Sequence, residues 1–310
     1  MVTRSLRCGA RAAMANEPAV GVGRGILALG IVVASASFAA CAIDEGTDPE
    51  AAPTPGDTND GQAPPRHDDP GQADASAPEG SADAGPCPPE MAHIDAFCID
   101  RWEAHVVAVD DAGAESAHSP YETIAGRAVR AKSAPDVVPQ GYISQIEAAG
   151  ACARAGKRLC EATEFSLACS GVTREEALDG GPTYPYGGRT HQAGVCNEGK
   201  GSAVARFFGA DSSKWTYANF NDPILNQWDG GLARTGAHPG CKSVHGVYDC
   251  VGNLHEWGAD PADTKGHGRF RGGFYGDAEL NGKGCLYVTS AHELSYHDYS
   301  TGFRCCRDAD

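Results

Sequence analysis

The sequence predicts an α+β domain with a large irregular fraction. Residues 91–107 alternate apolar and polar side chains, which is the pattern of strands with one buried face. Ser144 and Glu147 have the spacing of a capping box at the start of a helix. The chain has 40 glycines and 19 prolines among 310 residues, which indicates many turns. We therefore expect short strands and a few helices among long loops.

The remaining elements follow in chain order. The capped helix should run to about Ala155 and stop at Gly156. A second helix fits residues 161–169, with Gly171 at its end. Residues 182–246 are rich in Gly, Asn, Asp and Pro, so we expect loops there. Two short strands are predicted near the end of the chain, at residues 269–275 and 299–306.

The charge balance excludes one class of partner. Asp and Glu number 41 and Lys and Arg number 25, which gives a net charge of -16. Nucleic-acid binding requires clustered basic side chains, so we expect no nucleic-acid partner. The body of the chain has no apolar stretch long enough for a membrane span, which excludes a protein with several spans.

The first 40 residues resemble a secretory signal of the bacterial lipoprotein type. Basic side chains precede an apolar run at residues 25–40, and small residues stand directly before Cys41. Phe38 departs from the Leu that is usual there. The pattern predicts export, cleavage before Cys41 and lipidation of its sulfur, which would anchor the protein to a membrane of the cell envelope. The alternative is ordinary signal cleavage with Cys41 incidental.

Residues 41–86 are predicted to be a disordered tether. Residues 42–86 contain 11 acidic side chains and a single basic one, Arg66. Large apolar side chains are almost absent, so this segment cannot bury enough surface to offset the entropy of ordering. The globular domain is therefore placed at residues 87–310.

Four motifs occur in order along residues 87–310. They are FCIDRWEAHV near the start, ISQIEAAGACARAGKRLCEATEFSLACSG, GVYDCVGNLHEW, and the closing pair RGGFYGDA and TGFRCC. Together they resemble the formylglycine-generating enzyme (sulfatase-modifying factor) family. The resemblance implies a C-type-lectin-like variant of the α+β class, poor in regular structure and stapled by disulfides.

The cysteine count indicates disulfides and a spare thiol. Of the 13 cysteines, removing Cys8 and Cys41 leaves 11 in the domain, an odd number. Cys87 and Cys98 are predicted to form a local bridge. Cys305 and Cys306 are neighbours in a predicted strand, so their side chains face opposite ways and need different partners. Zinc binding is the alternative, but the sequence has no C-x-x-C motif.

The family resemblance implies two of the long-range bridges. They are Cys152–Cys305 and Cys169–Cys285. A further pairing of Cys160 with Cys306 is our hypothesis. It leaves Cys196, Cys241 and Cys250 to divide into one pair and one free thiol.

The resemblance also raises a catalytic question. Enzymes of the family hold copper with two cysteines that follow the R-G-G strand, and they oxidise a sulfatase cysteine to formylglycine. Here those two positions are Asp277 and Gly282. Where the family has a serine after Gly-Gly, this chain has Phe274. Where the family has the first Trp of W-E-W, this chain has His255. Copper(I) needs soft thiolates, so we expect no copper-dependent oxidation of cysteine.

Another redox metal would need another set of ligands. The candidate catalytic residues are His255, Asp277 and His292, with His297 and Asp298 in the same segments. Two histidines and a carboxylate suit non-haem iron. The alternative is that these histidines are surface or core residues satisfied by hydrogen bonds. No recognised set of ligands supports iron or copper.

Calcium is the metal that the resemblance favours. Asp249 and Glu256 match side-chain ligands of a structural calcium site in the family, and the carbonyls of Gly252 and Leu254 match its backbone ligands. Asn197 and Asp229 resemble a second site. The alternative is that these are loop carboxylates that accept backbone N–H bonds.

Two classes of function therefore stay open. The first is a diverged metal-dependent oxidoreductase built around His255 and Asp277. The second is a non-catalytic lectin-like module whose groove, with Trp257, Phe274 and Tyr275, holds a peptide, protein or glycan. Loss of both copper thiolates favours the second class, and family membership favours the first.

Overall fold

A computed structural model describes residues 85–260, 263–290 and 292–310. The predicted signal, the predicted lipidation site Cys41 and the predicted tether up to residue 84 lie outside the described residues. Within the described ranges, no helix combines the length and apolar character needed to cross a membrane.

The regular elements are short. The strands are β1 (Met91–Ile94), β2 (Phe97–Asp100), β3 (Ala104–Val109), β4 (Glu115–Ala117), β5 (Val129–Ser133), β6 (Arg158–Leu159), β7 (His255–Trp257), β8 (Phe270–Arg271), β9 (Val288–Thr289), β10 (Thr301–Gly302) and β11 (Cys305–Asp308). The helices are α1 (Gln145–Arg154), α2 (Ala162–Ser170), α3 (Arg174–Leu178), α4 (Ala203–Phe208) and α5 (Tyr217–Phe220). Single 3₁₀ turns occupy Ser212–Lys214, Pro223–Asn226 and Gly284–Leu286.

The strands form three small sheets. The first has the order β1-β2-β11-β6, and its three strand pairs are antiparallel. The second has the order β10-β7-β8-β9, in which β10 and β7 run parallel. The third has the order β4-β3-β5. The closing strand β11 thus lies between β2, near the start of the domain, and β6, the strand that follows α1. This sheet joins distant parts of the chain.

The two predicted helices form as their end signals indicate. The Ser144 hydroxyl accepts a bond from Glu147 N at 3.3 Å, and the Glu147 carboxylate accepts one from Ser144 N at 3.0 Å. These bonds satisfy amides that the first helical turn leaves without partners. Gly171 ends α2 with a φ of +77°, a conformation that glycine adopts without strain.

The irregular segments differ from the prediction in detail. Residues 182–246 contain α4 and α5 as well as loops, because Ser202 caps α4 and an Asn219–Thr216 bond starts α5. The strand predicted at 269–275 is reduced to β8. Gly272 and Gly273 follow it at φ values of +80° and +74° and turn the chain. The strand predicted at 299–306 is divided into β10 and β11.

Five disulfides hold these short elements together. They are Cys87–Cys98, Cys152–Cys305, Cys160–Cys306, Cys169–Cys285 and Cys196–Cys241. The first four are the pairs named in the sequence analysis. Cys250 is the free cysteine of the described residues, and it is buried. Bridges that span 116 to 153 residues restrict the unfolded chain strongly, which suits a fold with little regular structure.

Candidate functional site

The loop at residues 249–254 is built on an unusual backbone. Asp249, Gly252 and Asn253 all have positive φ, at +60°, +80° and +54°. At Gly252 the chain passes so close to Asn197 that a Cβ would lie 2.1 Å from the Asn197 carbonyl oxygen. Asn253 N donates to that same oxygen at 2.8 Å. The loop therefore brings together the two segments in which calcium ligands were predicted.

A buried ion pair lies directly after this loop. The Arg304 guanidinium donates to both oxygens of Glu256, each at 2.6 Å, and the two side chains are 1% and 3% exposed. Arg304 also donates to the carbonyl oxygens of Asp100 at 3.1 Å and Tyr248 at 2.9 Å. One side chain from the closing motif thus ties the opening motif and the GVYDCVGNLHEW motif into one centre.

Glu103 completes this centre, and it is not among the site residues predicted from the sequence. Its carboxylate accepts bonds from Leu254 N at 3.0 Å and from the Asn253 side-chain amide. It is fully buried. A signal was present in the sequence, because Glu103 is one of the two acidic residues of the FCIDRWEAHV motif and stands between the apolar residues Trp102 and Ala104. We call Glu103, Asp249, Glu256 and Arg304 the charged centre.

The charged centre carries more negative than positive charge. Burial raises the pKa of Glu103 well above its usual range, and the nearby carboxylates of Asp249 and Glu256 raise it further. Burial also raises the pKa of Asp249 to about 6. Three buried carboxylates therefore face one guanidinium, and the ionised form of each carboxylate is under-compensated.

The predicted calcium ligands lie in and beside this centre. Asp249 accepts a bond from Gly236 N at 2.7 Å through Oδ2, and both oxygens of Glu256 contact Arg304. The Asn197 amide donates to the Gly231 carbonyl and to Asn253 Oδ1, both at 2.9 Å. Asp229 is two residues before Gly231 in the chain.

The two family copper positions form part of a surface turn. Asp277 is half-buried, and its Oδ1 accepts bonds from Glu279 N at 3.1 Å and Leu280 N at 3.2 Å. Gly282 has a φ of +119°, and a Cβ there would lie 2.6 Å from the Leu286 carbonyl oxygen. This backbone therefore leaves no room for a cysteine side chain at position 282. We call residues 277–282 the turn.

His255 is enclosed in the core. Its Nδ1 lies 3.2 Å from Ser300 Oγ, and its Nε2 lies 3.3 Å from the Tyr287 hydroxyl. Ring centroids of Phe270 and Phe274 lie 4.5 and 4.8 Å from that of the imidazole. Burial lowers the pKa of His255 to about 3, so the ring is neutral at neutral pH.

The Tyr287 hydroxyl links His255 to the turn. It accepts a bond from the Asn281 side-chain amide at 3.0 Å. Burial raises the Tyr287 pKa, and the nearby carboxylate of Asp277 raises it further. His255 is therefore connected to the turn through a phenol, and the hydrogen bonds of the described residues include none between His255 and Asp277.

The other predicted redox ligands are engaged elsewhere. The His292 ring stacks on Tyr296 at a centroid distance of 3.7 Å. His297 Nδ1 lies 2.8 Å from Asn221 Oδ1. The Asp298 carboxylate accepts bonds from Ser300 and from the Tyr296 hydroxyl.

The hypothesis of an iron site at His255, Asp277 and His292 is therefore not supported by the geometry. Among the described residues, the only group of three His, Cys, Asp or Glu ligand atoms within 4.8 Å of one another is Cys160, Glu164 and Cys306. Two of these are joined in a disulfide, which removes their thiolates. The phenyl ring of Phe270 packs against both imidazoles, with its centroid 4.5 Å from that of His255 and 5.9 Å from that of His292.

The aromatic residues expected in a lectin-like groove are mostly internal. Trp257 is 1% exposed and donates to the Ile143 carbonyl, and Tyr275 is fully buried and donates to the Leu225 carbonyl. Phe274 is half-buried. The expectation that Trp257 and Tyr275 line an open groove was wrong, because both side chains are committed to the core.

Comparisons with known proteins give a match over most of the chain. A family model described as "Sulfatase-modifying factor enzyme 1-like domain" matches residues 57–309, which is more than half of the chain. Comparison with curated protein sequences returns no match.

Solved structures with similar coordinates include two variants of the Major Tropism Determinant. The I1 variant is 14% identical with a TM-score of 0.40, and the P3c variant is 16% identical with a TM-score of 0.39. Each alignment covers 73% of this chain and 54% of the other, so the chain spans about half the length of those proteins. The structure of CarF is 17% identical, with a TM-score of 0.35, over 69% of this chain and 87% of CarF.

Proposed function

The chain belongs to the sulfatase-modifying factor family, and from that premise we propose that it is an envelope-anchored member that does not itself oxidise cysteine to formylglycine with copper. The predicted α+β, C-type-lectin-like fold class is confirmed by family membership together with the mixed helices, strands and disulfides.

The turn carries the proposal. Asp277 and Gly282 stand where copper-binding family members have thiolates, and carboxylate oxygen is a poor ligand for copper(I). Gly282 also adopts a backbone conformation in which a side chain would overlap the Leu286 carbonyl. The site has therefore lost the donor atoms and has a backbone that does not suit their return.

An oxidation assay tests this proposal. The full chain is loaded with copper(I), supplied with oxygen and incubated with a peptide that contains Cys-x-Pro-x-Arg. Mass spectrometry should detect no aldehyde, while a family enzyme with the cysteine pair, assayed in parallel, should produce it. Formylglycine in the first sample would overturn the proposal.

The charged centre supports a structural calcium ion as a further part of the proposal. Asp249 and Glu256, with the carbonyls of Gly252 and Leu254, are the residues that would hold it. The excess of buried negative charge fits a divalent cation, and Asp249 keeps one carboxylate oxygen beyond the bond from Gly236 N. Glu256 fits less well, because Arg304 contacts both of its oxygens. When bound, calcium would supply positive charge to the under-compensated carboxylates.

A second calcium position at Asn197 and Asp229 is also proposed. Its support is the hydrogen bond from the Asn197 amide to Gly231, which brings the segment of Asp229 beside the charged centre.

Export and lipid anchoring rest on the N-terminal pattern and on the disulfides. Five bridges persist in an oxidising compartment, which agrees with export to the cell envelope. A Cys41→Ser variant expressed in a bacterial host should leave the membrane fraction for the soluble exported fraction. Unchanged membrane retention would contradict lipidation at Cys41.

A peptide-binding role is the second candidate function, and one observation favours it. Leu280 is 83% exposed in the turn, next to the polar groups of Asp277 and Asn281. An apolar side chain displayed beside hydrogen-bonding groups suits contact with a peptide or protein.

Metal analysis separates this role from a diverged oxidoreductase. Calcium without a redox metal in the purified protein favours binding. Stoichiometric iron or copper that is lost on His255→Ala would favour the oxidoreductase.

A further inference from the structure

An open cavity lies between α5, the segment before β8 and the segment before β10. Its volume is about 420 Å³, which is enough for a small organic ligand. The lining residues are Tyr217, His267, His292, Glu293, Ser295 and Tyr296. The cavity shares no residue with the charged centre or with the turn, so its ligand would be independent of both.

Two tyrosine rings line this cavity at an angle to each other. The Tyr296 ring stacks on His292 at a centroid distance of 3.7 Å, and the His292 ring stacks on Phe270 at 5.9 Å. The Tyr217 ring lies 5.8 Å from that of Tyr296 and is inclined to it by 51°. Tyr217 is 51% exposed, so its ring is accessible from solvent. The cavity therefore offers aromatic surface on more than one side.

The hydroxyl groups of both tyrosines are already committed. The Tyr217 hydroxyl donates to the His297 carbonyl at 2.7 Å, and the Tyr296 hydroxyl donates to Asp298 Oδ2 at 2.7 Å. A bound sugar needs donors and acceptors that match its own hydroxyl groups, because a polar group left unpaired on binding is costly. These two phenols have no free proton to donate, so they serve a ligand mainly through their rings. The cavity is thus poorly suited to a glycan.

The charge of the cavity favours a cation. Glu293 is exposed, and among the described residues no ion pair or side-chain hydrogen bond engages its carboxylate. The lining contains neither lysine nor arginine. Burial lowers the pKa of His292, which keeps that ring uncharged at neutral pH. His267 Nδ1 lies 3.1 Å from Asp263 Oδ2, so the Asp263 carboxylate matches any proton that His267 carries.

We propose that this cavity binds an organic cation of the quaternary ammonium class. The face of a tyrosine ring attracts a cation within about 6 Å of the ring centroid, and this attraction requires no hydrogen bond. A quaternary ammonium carries positive charge without an N–H group, so the committed hydroxyls of the cavity do not count against it. A primary ammonium would need acceptors for three N–H groups. The Glu293 carboxylate supplies the opposite charge.

Nuclear magnetic resonance with choline chloride tests the proposal on the full chain. The trimethylammonium protons of choline should move upfield as protein is added, because the ring current shields a proton above an aromatic face. The shift should saturate at one choline per chain. The neutral alcohol 3,3-dimethylbutan-1-ol has the same shape, with carbon in place of the charged nitrogen. It should bind at least about tenfold more weakly than choline.

Two pairs of variants locate the site. Tyr217→Ala removes an exposed ring and should raise the choline dissociation constant about tenfold, whereas Tyr217→Phe keeps the ring and should leave the constant unchanged. Glu293→Gln removes the carboxylate charge and should weaken choline binding severalfold. Glu175→Gln is its matched control, because Glu175 is an exposed glutamate of α3 outside the cavity lining.

The outcomes separate a cation site from other uses of the cavity. The changed side chains are exposed, so the variants should fold, and near-ultraviolet circular dichroism checks this. Absence of a saturable shift with the wild type, equal binding of choline and the neutral alcohol, or choline binding unchanged in both Tyr217→Ala and Glu293→Gln would overturn the proposal. Binding of methyl glucoside in place of choline would overturn it in favour of a glycan site.

Discussion

The charged centre keeps the residues of the family pattern, whereas the turn carries other residues at the two copper positions. In the charged centre, residues that match the family motifs hold one another by buried hydrogen bonds, as Glu256 and Arg304 do at 2.6 Å. In the turn, the two copper positions carry residues that suit a surface loop, Asp277 as an acceptor for backbone amides and Gly282 for its backbone conformation. The scaffold residues of the family pattern therefore persist here, while the two copper-ligand positions carry other residues.

Burial explains why the two regions differ. A change at Glu256 or Arg304 would leave a charge without its partner in the interior, which is costly. The turn is half-exposed, with Leu280 83% exposed, so water can solvate whatever a substitution uncovers. We expect substitutions in the charged centre to cost much more free energy than substitutions in the turn.

The strongest test of this comparison is Arg304→Met. It removes the guanidinium that contacts Glu256 and leaves three buried carboxylates without a positive partner. The free energy of unfolding should fall by about 4 kcal/mol, measured by guanidinium denaturation with the disulfides intact.

Arg130→Met is the matched control for this change. Arg130 and its partner Glu115 are each 33% exposed, so their ion pair is screened by water. The denaturation midpoint of Arg130→Met should stay close to that of the wild type. Equal losses in the two variants would contradict the distinction between buried and exposed charge.

Gly252→Ala tests the close approach inside the charged centre. The new Cβ would lie 2.1 Å from the Asn197 carbonyl oxygen, and the backbone has a φ of +80°. Steric overlap and backbone strain together should lower the free energy of unfolding by about 3 kcal/mol.

Gly266→Ala separates the two causes. Gly266 has a φ of +83°, but a methyl group at this position would meet no atom within 4 Å, so this variant suffers the backbone strain alone. It should lose about 1 kcal/mol in the same denaturation experiment. If Gly252→Ala cost no more than Gly266→Ala, the segment of Asn197 would not be packed against the loop.

Calcium removal sharpens the comparison in a different way. A ligand whose free concentration is about 100 times its dissociation constant stabilises a protein by about 2.7 kcal/mol. Removal of calcium with a chelator should therefore lower the thermal midpoint of the wild type. Asp249→Asn should abolish this calcium dependence, since asparagine accepts the positive φ of +60° but lacks the charge. Asp277→Asn should retain it. If the thermal midpoint of Asp277→Asn no longer depended on calcium, the ion would lie at the turn.

The sequence could predict features that depend on short-range patterns or on residue counts. The capping box at Ser144 and the glycine end of α2 form because their partners lie within a few residues. The odd number of cysteines indicated a spare thiol, and Cys250 is that thiol among the described residues.

The sequence could not predict contacts between distant segments. Glu103 accepts a bond from Leu254 N across 151 positions, and no local pattern marks that pair. His255 presented the same difficulty, because its two partners and its two phenyl neighbours come from separate strands and turns. A histidine at a motif position was therefore a plausible ligand in the sequence and is an enclosed, neutral ring in the fold.

Asp277→Ala should have a small effect, close to that of Gly266→Ala. It removes the oxygen that accepts bonds from Glu279 N and Leu280 N, a role like that of a helix cap, for which about 1 kcal/mol is typical. Asp277→Asn, which keeps an acceptor, should lose less in the same denaturation experiment. A loss above about 3 kcal/mol for Asp277→Ala, as large as that at Gly252, would mean that the turn is as tightly coupled as the charged centre. The residues at the two copper-ligand positions would then be part of the scaffold.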